Sequence, residues 1–421
     1  MKGEIGKMKS DLAQTEIEAP YELPEGWKWC RLGDVADCLD GFRKPINATE
    51  RADRTGNVPY YGATGQVGWI DDFLTNEELV LLGEDGAPFL DLIKEKAYLI
   101  SGKAWVNNHA HILRSKYGEI GNRYLLNYLN IFNYSGYVNG TTRLKLTQGE
   151  MLKIPFPLPP TLAEQQRIVN CIESMFAKLD EAKEKAQNVV DGFETRKATI
   201  LHKAFTGELT AKWRKENGVS DDSWVVKTIG EICLVKGGKR VPKGMSLIKE
   251  KNEHPYLKAG NLKFGTVIDK DMEYVPNDVF ILIKNYTVNT GDVYITNVGA
   301  CIGDCGIIPD YYHGASLTEN AVKLTEMICI NSYLAKQLSS NLVQTQIKSK
   351  IKSATLGKLS IDNIKQLKIN FPILPEQVEI VRILDIIIEK ENKAKQAAEA
   401  VLEQIDLLKK SILARAFRGE L

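Results

Sequence analysis

AFTGEL at residues 204–209 returns as AFRGEL at residues 416–421, 212 positions further along the chain. The pair EQ at 164–165 returns at 376–377 with the same offset, and no gap separates the two anchors. Self-similarity of this kind indicates that one structural unit was duplicated within the chain. The repeated phrase therefore marks the equivalent ends of two related segments.

Apolar residues recur every three to four positions in the segment that leads to each phrase. A period of 3.5 held over this length is typical of a coiled-coil seam. We predict two matching helices that pair with each other; the alternative is two amphipathic helices packed separately on globular cores. The seam positions are Ile168, Ile172, Met175, Leu179, Ala182, Ala186, Val189, Phe193 and Ile200, with Arg196 as an exception, and Ile380, Leu384, Ile387, Ala394, Ala398, Val401, Ile405, Leu408 and Ile412, with Glu391 as an exception.

The ends of both helices also carry signals. The stretch Thr161-Leu162-Ala163-Glu164 fits a capping box. Pro375 suits the first turn of the second helix, where a missing N–H costs nothing. Gly207 and Gly419 suit the left-handed conformation that ends a helix.

The repeat extends outside the helices. Trp27 and the glycine turn at 41–45 return at an offset of 197 as Trp224 and the turn at 238–242, and the second copy carries about 15 extra residues near 265–290. Short β-rich segments punctuated by glycine, such as ELVLLGEDGA, NNHAHILR, GDVYITNVGACIG and ENAVKL, are predicted as strands. The predicted fold class is mixed α/β, with two globular domains separated by two long helices.

Composition excludes some classes of protein. With 43% apolar and 26% charged residues the chain is typical of a globular protein. It has no membrane-length apolar run and no signal peptide, and its seven scattered cysteines suit a reducing compartment, so we expect a cytoplasmic protein without a membrane partner. Because the net charge is +1, any nucleic-acid surface must be local. Basic segments lie at 236–263 and 348–368, although such runs are more often solvated surface.

Catalytic motifs are missing from the sequence. The Gly-Lys pairs lack the frame of a P-loop, and neither a glycine-rich methyl-donor turn nor an Asn/Asp-Pro-Pro-aromatic corner is present. Cys301 and Cys305 form a lone CxxxC, a weak zinc signal. His109 and His111 share a strand face. A hydrogen-bonded or packed histidine pair is more common at such positions than a metal or hydrolytic site. We predict no catalytic, cofactor-binding or metal-binding residue in this chain.

Taken together, these motifs resemble the specificity subunit of Type I DNA restriction–modification systems over essentially the full length of the chain. The resemblance rests on W-x-x-x-x-[IL]-G-[ED] at 27–34 and 224–231, on the glycine turns, on PYYGATGQVGWID, and on PLPP…EQQRIV, PILPEQVEIV and the AF-x-GEL endings. Each motif is weak alone, whereas their ordered twofold recurrence is specific.

The resemblance implies a non-catalytic DNA-binding subunit that reads a bipartite, asymmetric double-stranded target in phage defence. The helices would pair as an antiparallel coiled coil, acting as a ruler and as the docking surface for two methyltransferase subunits, which restriction (translocase–nuclease) subunits would join. S-adenosylmethionine, ATP and Mg would be bound by those partners. The implied boundaries are a polar tail at 1–20, target recognition domains at 21–158 and 213–370, a central spacer helix at 159–212 and a C-terminal spacer helix at 371–421.

DNA contacts carry over only to the turns that both copies share. They are Gly41, Arg43, Lys44, Thr142, Arg143 and Lys145 in the first copy, and Gly238, Lys239, Arg240, Thr355 and Lys358 in the second. The N-terminal GEIGK also echoes the GELTAK that follows the first helix, and would bring the two chain ends together. Two alternatives stay open: a self-contained DNA modification enzyme with unrecognised motifs, and a coiled-coil scaffold that binds only protein.

Overall fold

The computed structural model describes residues 19–351 and 357–421. The chain packs as two compact units: unit 1 is Met1–Gln187 with Ala398–Leu421, and unit 2 is Asn188–Ala397. Each unit contains one β-rich body and parts of both long helical segments. The division follows the packing of the chain, and the domain boundaries given above stay predictions.

Unit 1 is built on two four-stranded sheets. Its strands are β1 (Lys28–Arg31), β2 (Ala36–Cys38), β3 (Val58–Gly62), β4 (Gly65–Ile70), β5 (Thr75–Asn76), β6 (Leu79–Gly83), β7 (Ala97–Ile100), β8 (Lys103–Val106), β9 (Ala110–Ser115), β10 (Val138–Asn139), β11 (Lys145–Leu146) and β12 (Pro155–Leu158). Its helices are α1 (Leu32–Val35), α2 (Ala48–Asp53), α3 (Gly118–Leu129), α4 (Gln148–Lys153) and most of α5 (Leu162–Asp191).

Unit 2 combines one four-stranded sheet with smaller ones. Its helices are α6 (Phe193–Phe205), α7 (Ala211–Glu216), α8 (Ile229–Ile232), α9 (Asn277–Ile283), α10 (Asn331–Leu338), α11 (Asn341–Lys350), α12 (Ile361–Lys365) and the first part of α13 (Leu374–Phe417). Its strands are β13 (Val225–Thr228), β14 (Leu234–Gly237), β15 (Pro255–Leu257), β16 (Leu262–Lys263), β17 (Thr266–Val267), β18 (Glu273–Tyr274), β19 (Val293–Thr296), β20 (Cys305–Ile307), β21 (Ser316–Leu317), β22 (Ala321–Thr325) and β23 (Lys368–Phe371).

One four-stranded sheet recurs in both units. The strand order is β2-β9-β6-β7 in unit 1 and β14-β22-β19-β20 in unit 2. The inner strands β6 and β19 are buried along their whole length, which explains their unbroken apolar runs LVLLG and VYIT. The four quoted β-rich segments contain β6, β9, β19 and β22, so the predicted mixed α/β class is confirmed.

The outer ends of both long helical segments lie where the sequence placed them, whereas the first segment, predicted as one helix, is interrupted at Gly192 between α5 and α6. Pro375 occupies the first turn of α13, and Gly207 and Gly419 have φ values of +87° and +71°. At the start of α5, only half of the capping box forms. The Glu164 N–H donates to Thr161 Oγ1 at 3.2 Å, whereas the Glu164 carboxylate accepts from Arg167 at 2.8 Å instead.

The long helices contact each other within each unit. In unit 1, Lys409 of α13 lies 2.6 Å from Asp180 of α5, and Asp406 pairs with Lys183. Because the residue numbers in α5 fall as those in α13 rise, the two helices run antiparallel. In unit 2, Lys395 of α13 contacts Phe193 of α6 and Glu391 pairs with Arg196, so α6 and α13 are antiparallel as well. Mutual pairing is therefore confirmed over separate packing.

The seam of α13 differs from the predicted one. Lys395 and Lys409 lie over the rings of Phe193 and Phe176, with Nζ 4.8 and 5.0 Å from the ring centroids. A pair of helices buries only a narrow stripe, so a lysine stem can cover an aromatic ring while its ammonium stays in water. Three predicted seam residues are exposed: Ala394, Val401 and Leu408.

The insertion of the second copy is partly helical. The extra residues of the second copy contain α9 and a short 3-10 turn at Lys284–Tyr286. The GEIGK echo lies outside the described residues, although Tyr21 Oη–H donates to the Phe417 carbonyl at 3.1 Å within unit 1. Among the helices described, none combines the length and the apolar character needed to cross a lipid bilayer.

Candidate nucleic-acid interface

Four chain segments meet at one edge of the repeated sheet in each unit. We call these surfaces edge 1 and edge 2. Edge 1 consists of residues 40–44, 84–87, 107–110 and 143–146. Edge 2 consists of residues 238–240, 297–299, 317–321 and 357–359.

Backbone hydrogen bonds hold the segments of edge 1 together. The Glu84 N–H donates to the His109 carbonyl at 2.8 Å, and the Leu146 N–H donates to the Glu84 carbonyl at 2.7 Å. The Gly86 N–H donates to the Leu144 carbonyl at 3.0 Å. These bonds position the loop after β6 between the loop before β9 and the basic turn at 140–146.

Edge 2 repeats the same bonds at the corresponding positions. The Asn297 N–H donates to the Asn320 carbonyl at 2.9 Å, and the Leu359 N–H donates to the Asn297 carbonyl at 2.8 Å. The Gly299 N–H donates to the Gly357 carbonyl at 3.4 Å. The duplicated sequence therefore builds a duplicated backbone frame, on which the side chains differ.

The predicted residues of edge 1 come together, but their cations are paired with acids. Arg143 donates to Asp85 at 2.8 Å, and Lys145 lies 3.0 Å from Glu84. Lys44 Nζ is 5.8 Å from the centroid of the Trp105 ring. Two further predicted residues are exposed: Gly41 and Thr142.

Arg43 is held inside edge 1. Its guanidinium contacts the Asp40 carboxylate at 3.0 Å, donates to the Ala110 carbonyl at 3.2 Å, and pairs with Glu84. Only 16% of its side chain is exposed. Although the sequence selected Arg43 as a DNA contact, its geometry is that of a residue that fixes the frame.

His111 belongs to the same charge network. Its Nδ1 lies 2.7 Å from Asp40 and its Nε2 lies 2.9 Å from the Leu146 carbonyl. Ligand atoms of Asp40, Glu84 and His111 lie within 4.8 Å of one another, a spacing that suits a metal ion. Because Arg43 binds both carboxylates and both ring nitrogens are engaged, we interpret the cluster as a closed ion network.

The histidine pair is hydrogen-bonded, which was the favoured interpretation of the sequence. His109 Nδ1 lies 2.7 Å from Asp85, so each histidine has its own aspartate.

Burial alone would raise the pKa of Asp40 and of Glu84. The pKa of each carboxyl is nevertheless lowered, because the hydrogen bonds and positive charges around it together outweigh burial, chiefly those of His111 for Asp40 and those of Arg43 and Lys145 for Glu84.

The glycine turn of edge 2 packs against the strand end before β22. The Lys239 N–H donates to the Leu317 carbonyl at 2.8 Å, and a Cβ at Gly238 would lie 2.0 Å from the Thr318 carbonyl oxygen. Only glycine fits so close to another backbone. By contrast, a Cβ at Gly41 would meet no described atom within 4 Å, so the two equivalent glycines are under different constraints.

The cations of edge 2 are more exposed than those of edge 1. Arg240 is 78% exposed and its Nε donates to Glu319 Oε1 at 2.5 Å. Lys239 Nζ lies 5.6 Å from the ring centroid of Tyr286, and Lys358 is exposed beside Val298. Thr355 lies outside the described residues.

Sequence reasoning missed the acids of both edges. Glu84 and Asp85 follow β6 directly, and Glu319 precedes β22. A search limited to basic residues passes over such positions. For Glu84 and Asp85 the available signal was the repeated glycine that follows them, Gly86; Glu319 has no such neighbour in its loop.

A comparison with known families decides the identity. A family model described as the Type I restriction modification DNA specificity domain matches residues 24–190 and 221–404. The chain belongs to this family. It is a specificity subunit, the non-catalytic DNA-recognition component of a restriction–modification system, and the two matched stretches correspond to the two copies of its repeat.

Relatives of this specificity subunit cover nearly the whole chain. A Haemophilus influenzae protein assigned as a type I restriction enzyme specificity subunit is 27% identical over 90% of this chain and 91% of its own. The EcoBI specificity subunit of Escherichia coli is 24% identical over 98% of this chain and 90% of its own. The crystal structure of the HsdS subunit from Thermoanaerobacter tengcongensis has a TM-score of 0.63 at 18% identity, covers 96% of this chain and all of its own, and supports the same fold.

Proposed function

We propose that this specificity subunit reads a bipartite, asymmetric DNA sequence, with edge 1 contacting one half and edge 2 the other. The observation that carries the proposal is the duplicated backbone frame with different side chains on each copy. A shared frame gives both halves a similar approach to the duplex. Different side chains let each half select its own bases.

The side chains of the two edges suit this role. Arg143, Lys145, Lys239, Arg240 and Lys358 supply cations for phosphates or base edges. Lys44 and Thr142 are further proposed contacts, and Thr355 stays a prediction. In the proposal, Gly41 and Gly238 lie in the turns that approach DNA, while the main role of Arg43 is to hold edge 1 together.

The helix pair is proposed to dock two methyltransferase subunits, which restriction subunits then join. Two lines of support are the exposed faces of α5 and α13, which on α13 include the apolar Ile386, Val401 and Leu407, and the twofold repeat, because equivalent surfaces can bind two copies of one partner. S-adenosylmethionine, ATP and Mg would be bound by those partners. The expected product is a methylated bipartite site, in the cytoplasm of a cell that defends itself against phage.

A domain exchange tests the proposal. Residues 220–370 are replaced by the equivalent segment of a relative, and methylated positions are mapped by single-molecule sequencing of genomic DNA. We expect one half of the modified motif to change while the other half is kept. A change in both halves, or DNA binding by the purified chain that does not weaken with rising salt, would contradict the proposal.

A further inference from the structure

Arg240 and Glu319 form an exposed pair on edge 2. The bond from Arg240 Nε to Glu319 Oε1, at 2.5 Å, uses the inner side of the guanidinium. Within residues 19–351 and 357–421, no hydrogen bond is recorded for the two terminal nitrogens of Arg240. They form a planar fork of donors on a side chain that is 78% exposed.

Glu319 is itself held in place by its neighbours. Thr318 Oγ1–H donates to Glu319 Oε2 at 3.2 Å, and Tyr256 Oη lies 3.4 Å from the same oxygen. Burial alone would raise the pKa of Glu319, but the hydrogen bonds from Arg240 and Thr318 and the charge of Arg240 together outweigh burial, and the pKa is lowered. The carboxylate therefore stays ionised and fixes the orientation of the guanidinium.

The Arg240–Glu319 pair carries little net charge but still offers the hydrogen-bond donors of the guanidinium. A guanidinium neutralised by a carboxylate at contact distance has a weak Coulomb attraction for a phosphate, and the carboxylate repels one. Its fork still matches two adjacent acceptors. In the major groove of B-DNA, guanine offers such a pair in O6 and N7, and an arginine fork contacts both.

The equivalent arginine of edge 1 gives an internal comparison. Arg43 binds Asp40, Glu84 and the Ala110 carbonyl, and these contacts engage all three of its nitrogens. At the position of Glu319, edge 1 has the neutral, exposed Asn108. At this position of the repeat, edge 2 therefore has an outward fork and edge 1 does not, as expected for a feature that selects one half of an asymmetric target.

From this geometry we infer that Arg240 reads a guanine in the major groove of the half-site that edge 2 contacts, with Glu319 as its positioning residue. The inference rests on the proposed function and names the base class for that site. Lys239 contrasts with Arg240, because it lies over Tyr286 and no acidic partner is recorded for it in the described chain. Lys239 is therefore a phosphate contact.

The test selects bound sequences from a random pool of duplex DNA with the purified full-length chain and four variants. Arg240→Lys keeps the charge but removes the fork, and we expect about a ten-fold or greater loss of guanine preference at one position. Glu319→Ala should lose preference at the same position, while its binding becomes more steeply salt-dependent because the cation is no longer compensated. A merely structural role for Glu319 would lower binding without steepening its salt dependence.

Two variants serve as controls. Like Glu319, Glu326 pairs with a cation, in this case Lys236 at 3.0 Å, but it lies beyond the opposite end of β22. Glu326→Ala should therefore leave the selected motif and the salt dependence of binding unchanged. Lys239→Ala should keep the motif and weaken binding to all sequences, with a salt slope reduced by about one.

The other possible results of the selection experiment contradict either the inference about Arg240 or the proposed function. If the wild-type chain enriches two half-sites but Arg240→Lys or Glu319→Ala keeps the guanine, the inference fails and the proposed function stands. If the half-site that edge 2 contacts contains no guanine, the inference also fails and the proposed function stands. If the wild-type chain enriches no sequence, the proposed function fails, and the inference fails with it.

Discussion

Arg196 and Glu391 face each other within the helix pair of unit 2, with 2.7 Å between the arginine Nε and the glutamate Oε2. Each is the polar exception in the apolar seam of its own helix. Arg196 also donates to the Val189 carbonyl, and its guanidinium uses the space left by the missing side chain of Gly192. Two apparent faults of the sequence pattern thus form one contact, which fixes the register of the pair.

A double-mutant cycle tests this contact. Arg196→Met and Glu391→Met should each lower the free energy of unfolding, because each leaves one half-buried charge without its partner. Since both side chains keep some exposure, 37% and 25%, we expect a coupling energy of no more than about 1 kcal/mol. Urea unfolding of the two single variants and the double variant measures it, and strictly additive effects would contradict the pairing.

The two equivalent glycines give a matched pair of substitutions. Gly238→Ala should destabilise unit 2 by about 1–3 kcal/mol, because the new Cβ collides with the Thr318 carbonyl. Gly41→Ala should be neutral or slightly stabilising, since its Cβ meets open space. Thermal unfolding measures both, and equal effects would show that the turn of edge 2 does not pack as described.

The repeated glutamates Glu164 and Glu376 should differ in the same way. Glu376 is fully buried and accepts from Thr210 at 2.6 Å and from Arg214 at 2.7 Å. Glu376→Ala leaves the buried Arg214 without that partner and should cost about 3–5 kcal/mol of stability. Glu164→Ala removes an exposed pair with Arg167 and should cost less than about 1 kcal/mol. Denaturant unfolding of the two variants checks the contrast, which would be lost if helix capping alone explained both residues.

Acid should weaken edge 1. The pKa values of Asp40 and Glu84 are lowered in the folded chain, so their stabilising contribution is present above the ordinary values of 3.8 and 4.5 and is lost as pH falls through the folded values. The free energy of unfolding of the wild type should therefore fall more steeply below about pH 4.5 than that of the Asp40→Asn, Glu84→Gln variant. Urea unfolding between pH 3 and pH 7 measures both slopes. Parallel profiles would show that the network does not favour the ionised carboxyls.

The sequence by itself determined the duplication, the strand segments and the ends of the long helices, because these follow from local periodicity and from residue types that fix the backbone. Pro375 and Gly207 could be interpreted without any knowledge of distant contacts. The twofold order of the motifs was also enough to indicate the family, since a repeat is a property of the chain and does not depend on packing.

Only the tertiary structure decided what the charged residues contact. Arg43 and Arg240 occupy equivalent positions in the repeat, yet one is enclosed by Asp40, Glu84 and the Ala110 carbonyl while the other extends its fork into solvent. Ion pairing depends on which segments meet at an edge, and those segments are far apart along the chain. Burial and pairing set the role of a cation through its local electrostatics, and neither can be deduced from a run of lysines and arginines.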